Sequence, residues 1–323
     1  MTRFFHGAVA VLALCAATPA LSADYLDYPD LRPSYPQGWE NGEDSIRFEF
    51  GARYWYAWGG QDASFDAAPY GTVDVNVRDQ SHIGELHGKI EDIATQTYVA
   101  ARGGLSLHTT GTWDISPAGS GAIGRNSRIG YAGADFGWLP LGTIENGFAF
   151  GGLVGYHYWK DAPDIGTGQY ATAFDAGFMP TALGEARDDF DIHALRLGLR
   201  GAADFDMFDL QAEVAAVPYA KVTGTLGGNS PGGYNFGVPV NENAPTTFSG
   251  SGHGVMAEGL VGFHPTENMT LRLGGRLWYL EGQLDAEFNG TAAGIGPVPT
   301  MILPSTYASV FRYGLLAELT GRF

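Results

Sequence analysis

Three features that would each indicate a common class of protein are missing from this sequence. There is one cysteine, Cys15, among 323 residues, there is no run of eighteen apolar residues, and only 16% of the residues are charged. The missing apolar run excludes a bundle of membrane-spanning helices. A single cysteine excludes a disulfide framework and leaves no cysteine pair for a zinc site.

An excess of basic residues is also missing. The chain carries 18 Lys and Arg against 35 Asp and Glu, which gives a formal net charge of −17. So acidic a chain is a poor partner for nucleic acid, and we expect it to bind none. The eight histidines are scattered along the sequence. Their spacing implies no metal site, and we expect no cofactor.

What the sequence has instead is an alternation of apolar and polar residues. The chain contains 48 glycines and 13% aromatic residues, and its mean hydropathy is −0.07. The segment 309–323 places apolar or aromatic residues at almost every second position and ends in Phe323, while Arg312, Glu318 and Arg322 lie on its other face. This period-two pattern is typical of a strand with one apolar and one polar face. Its length and its aromatic ends suit a strand of a transmembrane β-barrel.

The same alternation recurs along the chain. It predicts strands at 45–58, 80–91, 96–108, 128–137, 147–160, 191–205, 207–221, 253–264, 268–281 and 309–323. The links between these segments are alternately long and short, as in outer-membrane barrels with long external loops and short periplasmic turns. The prediction is an all-β fold, a transmembrane antiparallel up-and-down β-barrel of ten strands, with eight strands as the alternative.

The residues ahead of the barrel form two predicted segments. Residues 1–23 have the pattern of a secretory signal peptide, with an early arginine, an apolar core and small residues before a cleavage site after Ala23 or Ala20. Residues 24–44 contain three prolines and predict an extended periplasmic leader. We therefore expect export through the inner membrane, with residues 45–323 forming the barrel in a bacterial outer membrane.

The polar faces of the predicted strands give a set of interior charges. The members of this predicted lumen charge network are Arg47, Glu49, Arg53, Glu85, Lys89, Arg102, Arg196, Arg200, Glu213, Glu258, Arg272, Arg276, Arg312, Glu318 and Arg322. Opposite charges that face each other across a narrow interior are expected to pair, because an unpaired charge there is costly. The first interpretation is a packed salt-bridge core, and the alternative is a narrow, cation-rich path for small anionic solutes.

Aromatic residues collect at strand ends that precede long links. They predict an aromatic girdle at the outer membrane–water boundary, formed by Tyr54, Tyr56, Trp58, Tyr156, Tyr158, Trp159, Trp278 and Tyr279. A sugar-binding platform would use similar residues. The terminal Phe323 is predicted to be the signal that the barrel-assembly machinery reads.

The only cluster of acids with a histidine is Asp188-Asp189-Phe190-Asp191-Ile192-His193. Asp191 and His193 share one face of an extended strand, where a carboxylate could orient an imidazole as a general base. A histidine beside acids at a strand end is more often solvated surface, so we predict no catalytic residues and no enzyme activity. His82, His87, Glu85 and Glu91 could meet at a metal only if their strand bent, so no metal site is predicted.

Several short segments resemble a family of outer-membrane β-barrel proteins common in alphaproteobacteria, especially rhizobial relatives. They are DLRP (30–33), GELHGKI (84–90), GLVGYHYW (152–159), ALRLG (194–198), EVAAVPY (213–219), GGRLWY (274–279) and YGLL (313–316). The resemblance implies an omptin-like or porin-like barrel and supplies no catalytic residues. Omptin proteases have an Asp/His pair and an Asp pair across a cleft. Here the second pair has no counterpart, since the second long link offers only Asp114 and His253 stands alone.

The sequence thus predicts an integral outer-membrane barrel with a structural or surface role, with a narrow porin as a variant of it. The alternatives are an omptin-like surface hydrolase that uses the rim Asp and His residues, and a surface ligand-binding adhesin. The expected partners are outer-membrane lipid and lipopolysaccharide, the barrel-assembly machinery and, for the porin, small solutes.

Overall fold

The fold was analysed in a computed structural model of the chain. It describes residues 46–66, 72–116, 119–143, 147–165, 189–205, 207–225, 233–235, 238–242, 247–266, 268–288, 290–292, 296–297 and 301–323. The predicted signal peptide and leader therefore lie outside the described residues.

The described residues form fifteen strands. They are β1 (Ile46–Asp66), β2 (Thr72–Asp92), β3 (Thr97–Ser116), β4 (Gly119–Ala122), β5 (Arg128–Thr143), β6 (Phe148–Ala162), β7 (Asp189–Phe205), β8 (Phe208–Thr225), β9 (Gly233–Asn235), β10 (Val238–Glu242), β11 (Thr247–Thr266), β12 (Met269–Phe288), β13 (Gly290–Ala292), β14 (Gly296–Pro297) and β15 (Met301–Arg322). None of the described segments is a helix long and apolar enough to cross a membrane.

Ten long strands close into a ring. Each is antiparallel to its neighbours, in the order β1, β2, β3, β5, β6, β7, β8, β11, β12 and β15, and β15 pairs back with β1. The short β4 extends this sheet from β3, and β9, β10, β13 and β14 form a separate four-stranded sheet. Closure removes every free strand edge from the ring. The predicted all-β, antiparallel, up-and-down barrel is confirmed.

The first and last strands, β1 and β15, meet at the seam of the ring. Arg53 is the register partner of Glu318, and Glu49 is the partner of Arg322. The backbone N–H and C=O groups of Phe48 each bond to the backbone of Phe323 at 3.0 Å, so the seam is paired to the last residue. The oppositely charged side chains of neighbouring strands are thus placed on the same inner face.

The barrel has two unlike ends. At the turn end, which includes Ile46 and Phe323, connections of two to four residues join β2 to β3, β5 to β6, β7 to β8 and β11 to β12. At the loop end the connections are longer, and the shortest of them is the five residues between β1 and β2. The predicted short links therefore lie at the turn end, and the predicted long links lie at the loop end.

The strands are longer at the loop end than the sequence pattern suggested. The predicted first long link, 59–79, is strand up to Asp66 and again from Thr72, and much of the link 109–127 belongs to β3. These segments have polar residues outside and apolar residues inside, the reverse of a lipid-facing strand. A transmembrane strand needs only about 9–11 residues, and the long strands have 15 to 22. The strands thus extend well beyond an apolar band.

Candidate functional site

The interior of the turn-end half is filled with paired charges, and we call it the charged half. Next to the turn end, the fully buried Arg272 of β12 bonds to Glu318 at 2.6 Å, to Asp209 at 2.8 Å and to Glu49 at 3.1 Å. Lys89 lies 3.4 Å from Glu49. One guanidinium therefore links carboxylates from three other strands, which is the planar multidentate geometry that arginine favours.

A second cluster lies deeper in the charged half, around the fully buried Arg276. Its guanidinium lies 2.7 Å from Glu85 and 2.7 Å from Glu258. Arg53 joins the same carboxylates, at 3.0 Å from Glu85 and 3.2 Å from Glu258, and also bonds to Glu318. Two arginines and two glutamates thus form a compact network in which each carboxylate meets two cations.

The network reaches the opposite wall through Arg102 and Arg196. Arg102 of β3 lies 3.2 Å from Glu258 of β11 and 3.2 Å from Asp135 of β5. Arg196 bonds to Asp135 at 2.8 Å and to Glu213, which Arg200 approaches at 3.8 Å. In the order of the ring, β3 and β11 are five strands apart, so the Arg102–Glu258 pair spans the full width of the interior.

Two further predicted interior charges, Arg322 and Arg47, lie at the turn end. Arg322 is partly buried, 3.3 Å from Asp209 and 3.7 Å from Glu49. Arg47 is half-buried and makes no ion pair with any residue that the structure describes. Arg47 nevertheless lines a small cavity together with Glu49, Lys89 and Arg322, so it lies near the other members of the predicted set without pairing with them.

An aromatic layer covers the charged half. It is formed by five inward-facing residues from four strands: Trp55, Tyr131, His157, Trp159 and Trp278. Ring centroids lie 4.7 Å apart for Trp55 and Trp278, 4.9 Å for Tyr131 and Trp278, and 4.6 Å for His157 and Trp278. Arg276 stacks beneath this layer, 5.0 Å from the Trp55 ring. Such tilted and edge-on rings pack closely and block the interior.

The prediction that Trp159 and Trp278 belong to the outer girdle is wrong. Trp159 is fully buried and Trp278 is 2% exposed, both inside the barrel. The physical reason is the strand period, because a residue between two outward-facing neighbours points inward. Tyr158 and Tyr279 lie on the outward side and are half-buried.

The other predicted girdle residues lie on the outer face. Tyr54 and Tyr156 are exposed, and Tyr56 and Trp58 are half-buried. The hydroxyl of Tyr54 lies 2.5 Å from His82 Nδ1, and that of Tyr156 lies 2.5 Å from His193 Nδ1. These aromatic side chains, with their polar groups, thus surround part of the barrel at the level where the outward residues change from apolar to polar.

Above the aromatic layer, a further ion cluster crosses the interior. Arg312 of β15 lies 2.7 Å from Asp79 of β2 and 3.1 Å from Asp161 of β6. All three are buried. In the ring β15 and β6 are five strands apart, so this cluster also joins opposite walls.

Sequence reasoning missed the acids that balance the interior. The predicted set contains ten cations but five acids, and the structure adds five buried acids to it: Asp79, Glu91, Asp135, Asp161 and Asp209. All lie on inward positions of strands. The interior of the barrel is therefore much closer to charge balance than the predicted set implies. Period-two counting from neighbouring inward residues would have found Asp135 and Asp209.

The candidate hydrolytic residues do not form a cleft. His193 is exposed on the outer face, where its ring contacts Tyr156, and the Asp191 carboxylate bonds to Tyr158 and lies 3.4 Å from Lys160. Asp188 lies outside the described residues. No three His, Cys, Asp or Glu side chains within the described segments are grouped so that they could hold a metal ion.

Little space remains in the charged half. A cavity of about 50 Å³ lies among Arg53, Arg102, Arg200 and Glu213, and one of about 20 Å³ lies closer to the turn end. A water needs about 10–15 Å³ of such space, so the larger cavity has room for about three to five waters and the smaller one for about one or two.

Comparison with known proteins gives a fold but no family. No family model matches the sequence, and no curated protein matches it. Among solved structures, the outer membrane protease OmpT from Escherichia coli is similar over 87% of this chain and 97% of its own, with a TM-score of 0.54 and 10% identity. The translocator domain of the autotransporter NalP from Neisseria meningitidis covers 84% of this chain and 88% of its own at 12% identity, but its TM-score of 0.33 is too low to carry weight. This chain has the fold of bacterial outer-membrane β-barrels.

Proposed function

We propose that this protein is an outer-membrane β-barrel with a closed interior and a structural, non-catalytic role at the cell surface. The observation that carries the proposal is the pairing of opposite walls. Arg102 reaches Glu258 at 3.2 Å, and Arg312 reaches Asp161 at 3.1 Å. Side chains that bond across the full width of a barrel leave no continuous path between its ends.

Opening such an interior would be costly. Removing one partner of a buried ion pair typically costs about 3–5 kcal/mol, because the other charge is left uncompensated. Several such pairs, together with the aromatic layer, would have to separate for a solute to pass. The closed barrel is therefore supported over the narrow porin, although both fit the same fold.

Conductance in planar lipid bilayers tests the closed interior. The purified protein, shown to be folded by heat-modifiable gel mobility, is expected to give no current steps. A porin reconstituted in the same bilayer shows that steps would be detected. Reproducible steps from the intact protein would refute the closed interior and favour the narrow porin.

The non-catalytic role is tested against the hydrolase alternative. The pair Asp191 and His193 faces outward, and each side chain is bonded to a tyrosine. We therefore expect no peptide cleavage by the intact protein or by His193→Ala. Cleavage by the intact protein that is lost in His193→Ala would overturn the proposal. The adhesin alternative rests on residues 225–250, half of which lie outside the described residues.

The proposed partners are outer-membrane lipid, lipopolysaccharide and the barrel-assembly machinery. Outward apolar residues such as Leu273 (68% exposed) and Leu315 (62%) support a lipid-facing surface. The Phe323 side chain is 82% exposed. Phe323→Ala keeps the backbone bonds to Phe48 and removes only the ring, so we expect slower assembly without loss of final stability. Recovery of the protein in the outer-membrane fraction tests the location.

A further inference from the structure

Two histidines lie side by side on the outer face of the barrel, and we call them the histidine pair. His82 of β2 and His108 of β3 are register partners, and their ring centroids lie 6.1 Å apart. His82 is half-buried and His108 is exposed. The two residues are far apart in the sequence, so their spacing along the chain does not reveal the pair. Only the pairing of β2 with β3 brings them together.

A β-bulge in β3 turns His108 outward. Ile83 of β2 is fully buried and lies opposite Ser106 of β3. The next residue of β2, His82, lies opposite His108, so Leu107 is an extra residue in β3. Without this extra residue, the strand period would direct His108 inward, as it directs Ser106. Bulges re-aim side chains in this way and are common next to functional sites.

The Tyr54 hydroxyl positions the His82 ring. It lies 2.5 Å from His82 Nδ1, and the Tyr56 ring packs against the same imidazole with centroids 5.1 Å apart. When the hydroxyl oxygen accepts a hydrogen bond from Nδ1–H, the lone pair of Nε2 is left for a metal ion. Metal-binding histidines have such a partner on the other ring nitrogen, which fixes the tautomer and the direction of the ring.

A turn of the His108 side chain is enough to bring both rings to one ion. Two imidazole nitrogens that each lie about 2.0–2.1 Å from a tetrahedral metal are about 3.3 Å from each other. No hydrogen bond or ion pair holds His108 to the described part of the chain, so its exposed ring can change rotamer at little cost. One fixed ring and one adjustable ring can therefore close on a single ion.

The histidine pair is open to the medium at the loop end. The next outward residues in that direction, Gln80 and Thr110, line a recess of about 580 Å³ on the outer face. In the other direction, outward residues such as Leu86 and Leu105 are apolar and exposed. The pair thus lies where the outer face changes from apolar to polar, within reach of ions in water. Two protein ligands leave part of a metal's shell open, and the recess has room for waters that complete it.

We propose that the histidine pair binds a divalent transition-metal ion through two imidazole nitrogens. Imidazole suits zinc, copper and nickel, and the affinity of a given nitrogen site is highest for Cu²⁺. Mg²⁺ and Ca²⁺ prefer oxygen ligands, so they are not expected to compete. The proposal does not depend on the closed interior, because the histidine pair lies on the outer face and the ion pairs of the charged half lie inside.

The barrel contains a second arrangement of the same kind that lacks one ligand. The Tyr156 hydroxyl lies 2.5 Å from His193 Nδ1, and the Tyr158 ring lies 5.1 Å from the His193 ring, the same distances as at His82. The register partner of His193 on β8 is Lys221 instead of a histidine. A lysine ammonium offers no lone pair to a metal. His193 is therefore a natural control for a single tyrosine-bound imidazole.

Electron paramagnetic resonance of bound Cu²⁺ tests the site, because it counts the nitrogen ligands. The full chain in phosphatidylcholine nanodiscs, with one equivalent of CuCl₂, is expected to show coupling to two imidazole nitrogens. His108→Ala should lose one of them and bind more than about tenfold more weakly, since even the loss of an outer-shell partner costs that much. His193→Ala is the matched control and should behave like the natural protein.

Two results of this experiment would overturn the proposal. An unchanged nitrogen coupling and affinity in His108→Ala would place the copper elsewhere on the chain. Displacement of the copper by Mg²⁺ as readily as by Zn²⁺ would indicate oxygen ligands instead of imidazole.

Two further variants test the arrangement around the histidine pair. Tyr54→Phe keeps the ring and removes the hydroxyl, so we expect Cu²⁺ binding to weaken about 10–100-fold while both nitrogens stay coupled. Lys221→His places a second imidazole beside His193, and the folded variant is expected to bind one more copper ion per chain than the natural protein. Unchanged affinity in Tyr54→Phe would contradict the positioning role of Tyr54. Unchanged copper stoichiometry in folded Lys221→His would contradict the proposal that a cross-strand pair of this kind binds the metal.

Discussion

The two halves of the barrel use the same strand period with opposite polarity. In the charged half, β2 directs Glu85 inward and Leu86 outward. In the loop-end half, the same strand directs Val75 inward and Asp74 outward. β12 repeats the reversal, from inward Arg272 beside outward Leu273 to inward Leu284 beside outward Asp285. The alternation of inward and outward positions is the same in both halves. The reversal of polarity must therefore come from the medium that surrounds the outer face.

This reversal shows how one closed sheet can match its outer face to lipid in one half and to water in the other. Where the outer face meets lipid, apolar side chains go outward and the polar ones must find partners inside. Where the outer face meets water, the loop-end half is ordered like a soluble barrel, with its apolar side chains inside. The charged half is therefore held by specific pairs, and the loop-end half by burial of apolar surface.

The largest expected effect comes from removing the cation that serves both Glu85 and Glu258. Arg276→Ala leaves two buried carboxylates with fewer partners and removes the stacking beneath Trp55. We expect a loss of about 3–5 kcal/mol in the free energy of unfolding, measured by urea titration in lipid vesicles with a gel-mobility readout.

The matched control for this change is Arg47→Ala, because Arg47 is half-buried and forms no ion pair with the described residues. We expect it to change stability by less than about 0.5 kcal/mol. Equal effects of the two substitutions would mean that the charged half is not stabilised by its specific pairs.

The next largest effect concerns the layer that separates the two halves. Trp278→Ala removes a ring that packs on Trp55, Tyr131 and His157, and we expect it to cost about 3 kcal/mol. Its neighbour Tyr279 points outward and is half-buried, so Tyr279→Ala should cost about 1 kcal/mol. Urea unfolding of both variants measures the difference. A larger loss for Tyr279→Ala would restore Trp278 to the outer girdle.

A smaller effect is expected in the loop-end half. Val75→Asn places an amide among apolar side chains without a hydrogen-bond partner, at a cost of about 2 kcal/mol. The reverse change at the next position, Asn76→Val, lies on the polar outer face and should be within about 0.5 kcal/mol of neutral. If Val75→Asn were neutral in the same urea assay, the loop-end interior would be wet and the reversal of polarity would not hold.

The comparison of halves also explains what the sequence could and could not predict. Strands such as 45–58 can be predicted because apolar residues at every second position, on the face toward lipid, are a strong sequence signal. Ten such segments predict the ten-stranded barrel. The sequence pattern predicts links at 72–79 and 109–116, because the outward residues of these segments are polar. The pattern there is as regular, with Val73, Val75 and Val77 at alternate positions, but its polarity is reversed.

The interior contacts were less predictable than the fold. Period two tells which residues point inward, but the pairs Arg102–Glu258 and Arg312–Asp161 join strands that are five apart in the ring. Such pairs depend on the closed ring and its register, which one sequence does not show. The prediction for Trp159 and Trp278 is wrong for a different reason: aromatic residues at strand ends are typical of a girdle, but the strand period turns these two inward.

The smallest expected effect is at Asp92, the last residue of β2, whose carboxylate is not buried and gives a reference for the buried charges. The Asp92 carboxylate accepts hydrogen bonds from the Thr95 hydroxyl at 2.8 Å and from the Ala94 N–H at 3.0 Å. Chiefly because of the Thr95 bond, the pKa of Asp92 is lowered below its ordinary value of 3.8. This bond stabilises the fold above that value, and the contribution is lost as the pH falls through the lowered pKa.

Thr95→Ala removes that donor, and we expect the pKa of Asp92 to rise part of the way back because the Ala94 N–H remains. A carboxyl-carbon NMR titration measures the change, with Thr110→Ala on the outer face of β3 as the control that leaves it unaltered. Urea unfolding at neutral pH should barely distinguish the two variants, since a solvated carboxylate keeps water as a partner. A loss of stability as large as that of Arg276→Ala would mean that burial is not what makes the interior pairs important.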